Sequence, residues 1–143
     1  MKRILVATDG STGADRAVDA ASELAKQFGS ELLLVTVEQG YLQGDLEKLR
    51  WVEHATVEEI LTAVSTELLN RARKRAEAIG ADRIRTFIGI GDAPAFIMDV
   101  AEREKPDLIV VGKRGRGRLG GLLLGSVSQK LASLTNCSVL IVP

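Results

Sequence analysis

Four short apolar runs recur along the chain: Ile4–Ala7, Leu32–Val37, Leu108–Val111 and Val139–Val142. None keeps a strict polar–apolar alternation. A strand that is apolar on both faces must be covered on both faces, and that is the condition of a parallel sheet packed between helices. The segments between the runs supply the helices. One set of inward positions is Ala17, Val18, Ala21, Leu24, Ala25 and Phe28. A second is Ile60, Leu61, Val64, Leu68, Ala72, Ala76 and Ile79; Ile97, Val100 and Ala101 follow, then Val127, Leu131 and Leu134. Each set falls at helical spacing. A fifth run, Ile84–Ile88, alternates more and reads as a strand nearer the sheet edge. The order β-α-β-α-β-α-β-α-β predicts an α/β fold over residues 1–143: a single domain built on one doubly wound five-stranded parallel sheet with helices on both faces.

The punctuation agrees. Thr12-x-x-Asp15 and Thr56-x-x-Glu59 are helix-opening patterns, and Gly29 and Gly80 stand where helices should stop. Asp92 reads as an N-cap with Pro94 in the first turn, which explains it better than catalysis does. Ser126-x-x-Gln129 has the capping-box form and would open the last helix. Residues 38–55 show no periodicity, although they hold Tyr41, Trp51 and His54. They read as a surface connection rather than a lid. His54 has no partner at metal-ligand spacing. Arg71, Arg73, Lys74 and Arg75 read as solvated cations near a helix C-terminus.

Composition narrows the function classes. Nineteen basic residues balance nineteen acidic ones, and aromatics make up 3%. That argues against a strongly basic nucleic-acid binder and against base-stacking platforms. The single cysteine, Cys137, is expected to be a buried, inert thiol. The N-terminal apolar run is too short for a signal peptide, and no run reaches the ~18 apolar residues of a membrane span. A soluble, cytoplasmic protein is expected.

The stretch after Val111 carries the chemistry. Gly112-Lys113-Arg114-Gly115-Arg116-Gly117-Arg118 is followed by Gly120, Gly121 and Gly125-Ser126. A strand, a glycine loop and a helix N-terminus together hold phosphate: glycines let main-chain N–H groups approach, and the helix points its unpaired donors at the anion. The loop bears four cations, of which one or two are expected to touch ligand. Gly115-x-Gly117-x-x-Gly120 fits the dinucleotide fingerprint in letters. It fits less well in context, because the helix starts only near Ser126 and the next strand offers no acid for a ribose. The phosphate loop of P-loop nucleotidases is missing from the chain. The plain alternative is a flexible surface connection whose glycines suit turns. Ser126 can be an N-cap, a ligand contact, or both.

Gly112, two residues, Gly115, nine residues, Gly125-Ser126 resembles the nucleotide-binding signature of the universal stress protein family. The likeness extends to Ile4-Leu-Val-Ala-Thr-Asp9-Gly-Ser11, Gly91-Asp92-Ala-Pro94, Pro106-Asp107-Leu-Ile-Val-Val-Gly112 and Cys137-Ser-Val-Leu-Ile-Val142. It implies strand order 3-2-1-4-5, which brings the turn Thr8–Ser11 and the glycine loop into one crevice. Carried over by position, Gly112, Gly115, Gly125, Ser126, Val127 and Ser128 would line phosphates and ribose. Asp9 would sit near the ribose, with Thr8 beside it, and Ala7 and the backbone of Thr36 would bound the adenine. Lys113, Arg114 and Arg116 complete the candidate binding set. Family members commonly carry proline where Ala7 stands, a change that would loosen the adenine wall. The resemblance implies an ATP-binding regulatory protein, with Mg²⁺ on the nucleotide, switching a stress response as a homodimer. The apolar final strand is the sheet edge expected to pair the subunits, with a covered edge inside the monomer as the competing account. No base–nucleophile pair points to an enzyme, so at most weak ATP hydrolysis is expected. The rival readings are a slow ATPase and a protein-interaction module that uses the basic loop without nucleotide.

Overall fold

The structure, a computed structural model, describes residues 1–38, 57–115 and 124–143. Tyr41, Trp51, His54, Thr56, Arg116 and Arg118 lie outside the described residues. The elements run β1 (Arg3–Ala7), α1 (Thr12–Phe28), β2 (Glu31–Glu38), α2 (Val57–Ile79), β3 (Ile84–Ile90), α3 (Ala93–Glu104), β4 (Leu108–Gly112), α4 (Ser126–Leu134) and β5 (Ser138–Val142). All pairings are parallel, in the order β3-β2-β1-β4-β5. The expected strand order is therefore met, with β3 on one edge.

Strand periodicity divides the core in two. Ile4, Val6, Leu32, Leu34 and Val110 face α1 and α2, where Ala17, Val18, Ala21, Leu69, Ala72 and Ala76 meet them. Leu5, Leu33, Val35, Ile109 and Val111 face the other way, onto Ile97, Val100 and Leu131 of α3 and α4. The three central strands are thus apolar on both sides because both sides are covered. Leu5, Leu33 and Ile109 are wholly buried, each contributing on the order of 1.5–3 kcal/mol of transfer energy.

Several helical positions differ from the sequence reading. Phe28, Val64 and Leu134 are exposed rather than inward. The buried stripe of α2 runs through Leu61, Ser65, Leu69, Ala72 and Ala76, one position away from the expected Ile60–Val64–Leu68 line. Serine at the stripe's second turn hides the true phase, because a polar residue is not counted as inward. Nor do the α2 cations crowd the last turn. Arg75 instead clamps α2 to α1 by a two-bond fork onto Asp19 (2.5 and 2.8 Å), which holds its pKa above the ordinary value. Cys137 is half-buried, not buried; its thiol donates to the Pro106 carbonyl at 3.3 Å, and burial pushes its pKa up. Among the described residues no helix is long and apolar enough to cross a membrane.

Candidate functional site

The chain winds outward from β1 to β3, then returns to place β4 on β1's other side. A crevice opens beyond the strand ends at such a reversal. Here it is a cleft of about 380 Å³, and its walls come from the ends of β1, β2 and β4, the first turns of α1, α3 and α4, and Leu68 of α2.

From β1, Ala7, Thr8 and Asp9 enter the cleft. Thr8 is buried, and its N–H donates to the Val35 carbonyl at 2.8 Å, carrying the β1–β2 pairing into the turn. Gly10 then takes φ 78°, a left-handed conformation that glycine adopts without penalty. Asp9 Oδ1 accepts from the Ser11 N–H at 2.9 Å, and Ser11 Oγ accepts from the Ala14 N–H at 3.2 Å. Ser11, not Thr12, is therefore the N-cap of α1.

The β4 side is tied to this turn by close main-chain approaches. A Cβ on Gly13 would stand 2.8 Å from the Arg114 carbonyl oxygen, and one on Gly112 would stand 3.0 Å from the Gly13 main chain. Only glycine lets α1 and the loop sit this close. A Cβ on Gly115 would fall 2.4 Å from Asp9 Oδ2, so the glycine turn lies against the carboxylate at the end of β1. The two ends of the loop are closed on each other. The Lys113 carbonyl accepts from the Gly125 N–H (2.8 Å) and lies 3.0 Å from Ser128 Oγ, while the Lys113 N–H donates to the Val142 carbonyl at 2.6 Å. Ser128 is buried and its hydroxyl also lies 3.1 Å from the Gly125 carbonyl. Its hydroxyl fastens the loop.

Helix α4 opens differently from the expected capping box. Its N-cap is Gly125, which has no side chain to satisfy the first-turn N–H groups. Ser126 is the first helical residue. The start of a helix leaves its first N–H groups without intrahelical partners, and here that end, with Gly125, Ser126, Val127 and Ser128, borders the cleft.

Of the residues singled out from sequence, Ala7, Thr8, Asp9, Thr36, Gly112, Arg114, Gly115, Gly125, Ser126, Val127 and Ser128 come together around this one cleft. Lys113 does not line it; its main chain holds the loop closed instead. Arg116 lies outside the described residues. Sequence reasoning missed Gly13, Glu38 and Leu68. Glycine is disfavoured in a helix interior by about 1 kcal/mol against alanine; in the first turn of α1, where Gly13 stands, that signal is weak. Glu38 ends β2, so its place at a strand's carboxyl end was legible once strand order was known. Nothing in sequence marked Leu68, which the helical spacing assigned to the core.

A reversal crevice with a glycine loop, an open helix N-terminus and a strand-end carboxylate defines a doubly wound α/β protein whose cleft geometry suits an anionic ligand. The family model of the universal stress proteins matches residues 1–143. A universal stress protein of Thermus aquaticus is 37% identical over 99% of this chain and 98% of its own, and universal stress protein YxiE of Bacillus subtilis is 35% identical over 98% and 97%. A crystal structure of a universal stress protein in complex with cAMP superposes with TM-score 0.74 at 31% identity, covering 99% of this chain and 95% of that one. The chain belongs to the universal stress protein family.

Proposed function

We propose that this protein binds ATP in the β1–β4 cleft and acts as a nucleotide-dependent switch in a stress response. One observation carries the reading: the N-terminus of α4, which no side chain caps, borders the same cleft as the glycine turn that approaches Asp9. Such an end favours an anion by ~0.3–1 kcal/mol when exposed and by up to ~2 kcal/mol when partly buried. Main-chain donors and Arg114 add to it. A related structure with an adenine nucleotide, cAMP, supports the class of ligand.

Asp9 brings a carboxylate beside Gly115, and among the described residues no three His, Cys, Asp or Glu side chains cluster. That donor set suits Mg²⁺ carried on the nucleotide's phosphates with a single carboxylate, the ordinary manner of this ion. Bound Mg²⁺ would neutralise phosphate charge, with Asp9 holding it against the turn. Residues 1–143 act as one nucleotide-binding unit in the cytoplasm. Two copies join through β5, an edge strand whose Leu140 and nearby Leu134 are exposed and whose unpaired main chain is a ready template for a second strand. ATP binds the ordered loop better than the open one, and a partner reads the difference.

The test is to denature freshly purified protein, identify released nucleotide by chromatography, and titrate the stripped protein with ATP and Mg²⁺ in a calorimeter. Near-stoichiometric nucleotide or saturable rebinding is expected. No nucleotide, and no heat at millimolar ATP, would overturn the reading in favour of a protein-contact role for the loop.

A further inference from the structure

The cleft changes character along its length. Its β4 end is glycine main chain and a helix N-terminus. Its β2 end is apolar, with Val35, Val37, Leu68 and Ile97 in the wall, a surface that suits the face of a flat ring. One charged side chain is set into that apolar end. Glu38 lines the cleft there, and its Oε1 accepts from the Ser65 hydroxyl at 2.6 Å. The distance is that of a charge-assisted O–H···O⁻ bond. Ser65 is wholly buried in the inward stripe of α2. A serine there contributes little apolar burial, and its hydroxyl requires a partner; what it does is aim the carboxylate. The Glu38 main chain is held as well, its carbonyl accepting from the Gly91 N–H at 2.7 Å.

A carboxylate offers acceptors only. At the far end of a phosphate-binding cleft it disfavours a second phosphate and a carbonyl oxygen, and it favours an amine. Resting on the nucleotide reading above, we propose that Glu38, positioned by Ser65, reads the exocyclic amine of the ligand's base and makes the site select 6-aminopurine over 6-oxopurine nucleotides. A hydrogen bond to a charged group carries roughly 10- to 100-fold in affinity, and the 6-oxo group would face the carboxylate with like polarity.

The test compares ATP, ITP and inorganic tripolyphosphate by calorimetry on the whole chain and on Glu38→Gln and Ser65→Ala. The wild type is expected to prefer ATP over ITP by about 10- to 100-fold. In Glu38→Gln the preference should fall to within about threefold, because an amide can turn either its oxygen or its N–H to the base. Ser65→Ala should fall between, and tripolyphosphate affinity should stay level in all three. Equal affinity of the wild type for ATP and ITP, or an unchanged ratio in Glu38→Gln, would overturn this proposal while the phosphate reading stands. Binding of neither ATP nor tripolyphosphate would overturn both.

Discussion

Helices α3 and α4 both begin at the carboxyl edge of the sheet, yet they begin in opposite ways. Asp92 closes α3, its carboxylate accepting from the Ala95 N–H at 3.1 Å. Gly125 opens α4 with no side chain at all. A capping side chain is typically worth ~1 kcal/mol against alanine but only a few tenths against glycine, so α4 forgoes a little stability that α3 takes. Both first turns border the cleft, but the α4 turn, between Gly115 and Ser128, is the one whose N–H groups no side chain caps, and a ligand's oxygens can serve there instead. A helix whose own residues satisfy its first turn is structural; one left open among crowded glycines is poised for an anion.

The most damaging change should be one that pushes the α4 loop off the α1 turn. Gly13→Ala adds a Cβ 2.8 Å from the Arg114 carbonyl oxygen. Alanine suits a helix better than glycine, so the fold should hold while the loop shifts. Overpacking of about 1–3 kcal/mol placed in this loop predicts roughly 10- to 100-fold weaker ATP binding by calorimetry. Unchanged affinity would mean that the close approach does not shape the site.

A smaller effect comes from making α4 resemble α3. Gly125→Asp supplies a side-chain cap and a negative charge; its φ of −71° suits any residue, although its Cβ meets Arg114 Cα at 3.3 Å. Roughly tenfold weaker ATP binding is expected, from a carboxylate competing with phosphate for the same donors. Thermal stability should stay level. The reverse change, Asp92→Ala, should lower stability by about 1 kcal/mol, or about 3–5 °C in Tm, and leave ATP affinity within about twofold.

The smallest effect separates the two ends of the sheet. At its amino end, Asp107 accepts from the N–H groups of Lys2 (2.6 Å) and Arg3 (3.0 Å), and these bonds hold its pKa below the usual carboxylate range. The unfolded carboxyl takes its proton near pH ~3.9, before the folded one does. Stability from Asp107 is thus present above that pH and is lost as pH falls through the folded value. Asp107→Ala should flatten the stability profile below about pH 4, read by thermal melts across pH, and should not alter nucleotide affinity at neutral pH.

The central strands were legible because burial on both faces leaves an unbroken apolar run, as in Leu32–Val35. Helix phase was less so. Ser65 sits inward to serve Glu38, and that one polar residue moved the apparent stripe of α2 onto Val64, which faces solvent. Cap positions slipped by one residue at Ser11 and Gly125 because neighbouring residues, Thr12 and Ser126, carry the same chemistry. The glycine half of the site could be read from spacing, since close main-chain approach demands glycine. Its β2 half was read only in part: Thr36 came from the family resemblance, whereas Glu38 and Leu68 line one cleft only once β2 and α2 are packed.

Main-chain amide shifts during an ATP titration with Mg²⁺ would test the open α4 terminus most directly. Saturable perturbations concentrated at Gly115, Gly125, Ser126 and Val127, with Ala95 of the capped α3 left still, are the predicted result. Saturation that leaves the α4 terminus untouched would contradict it.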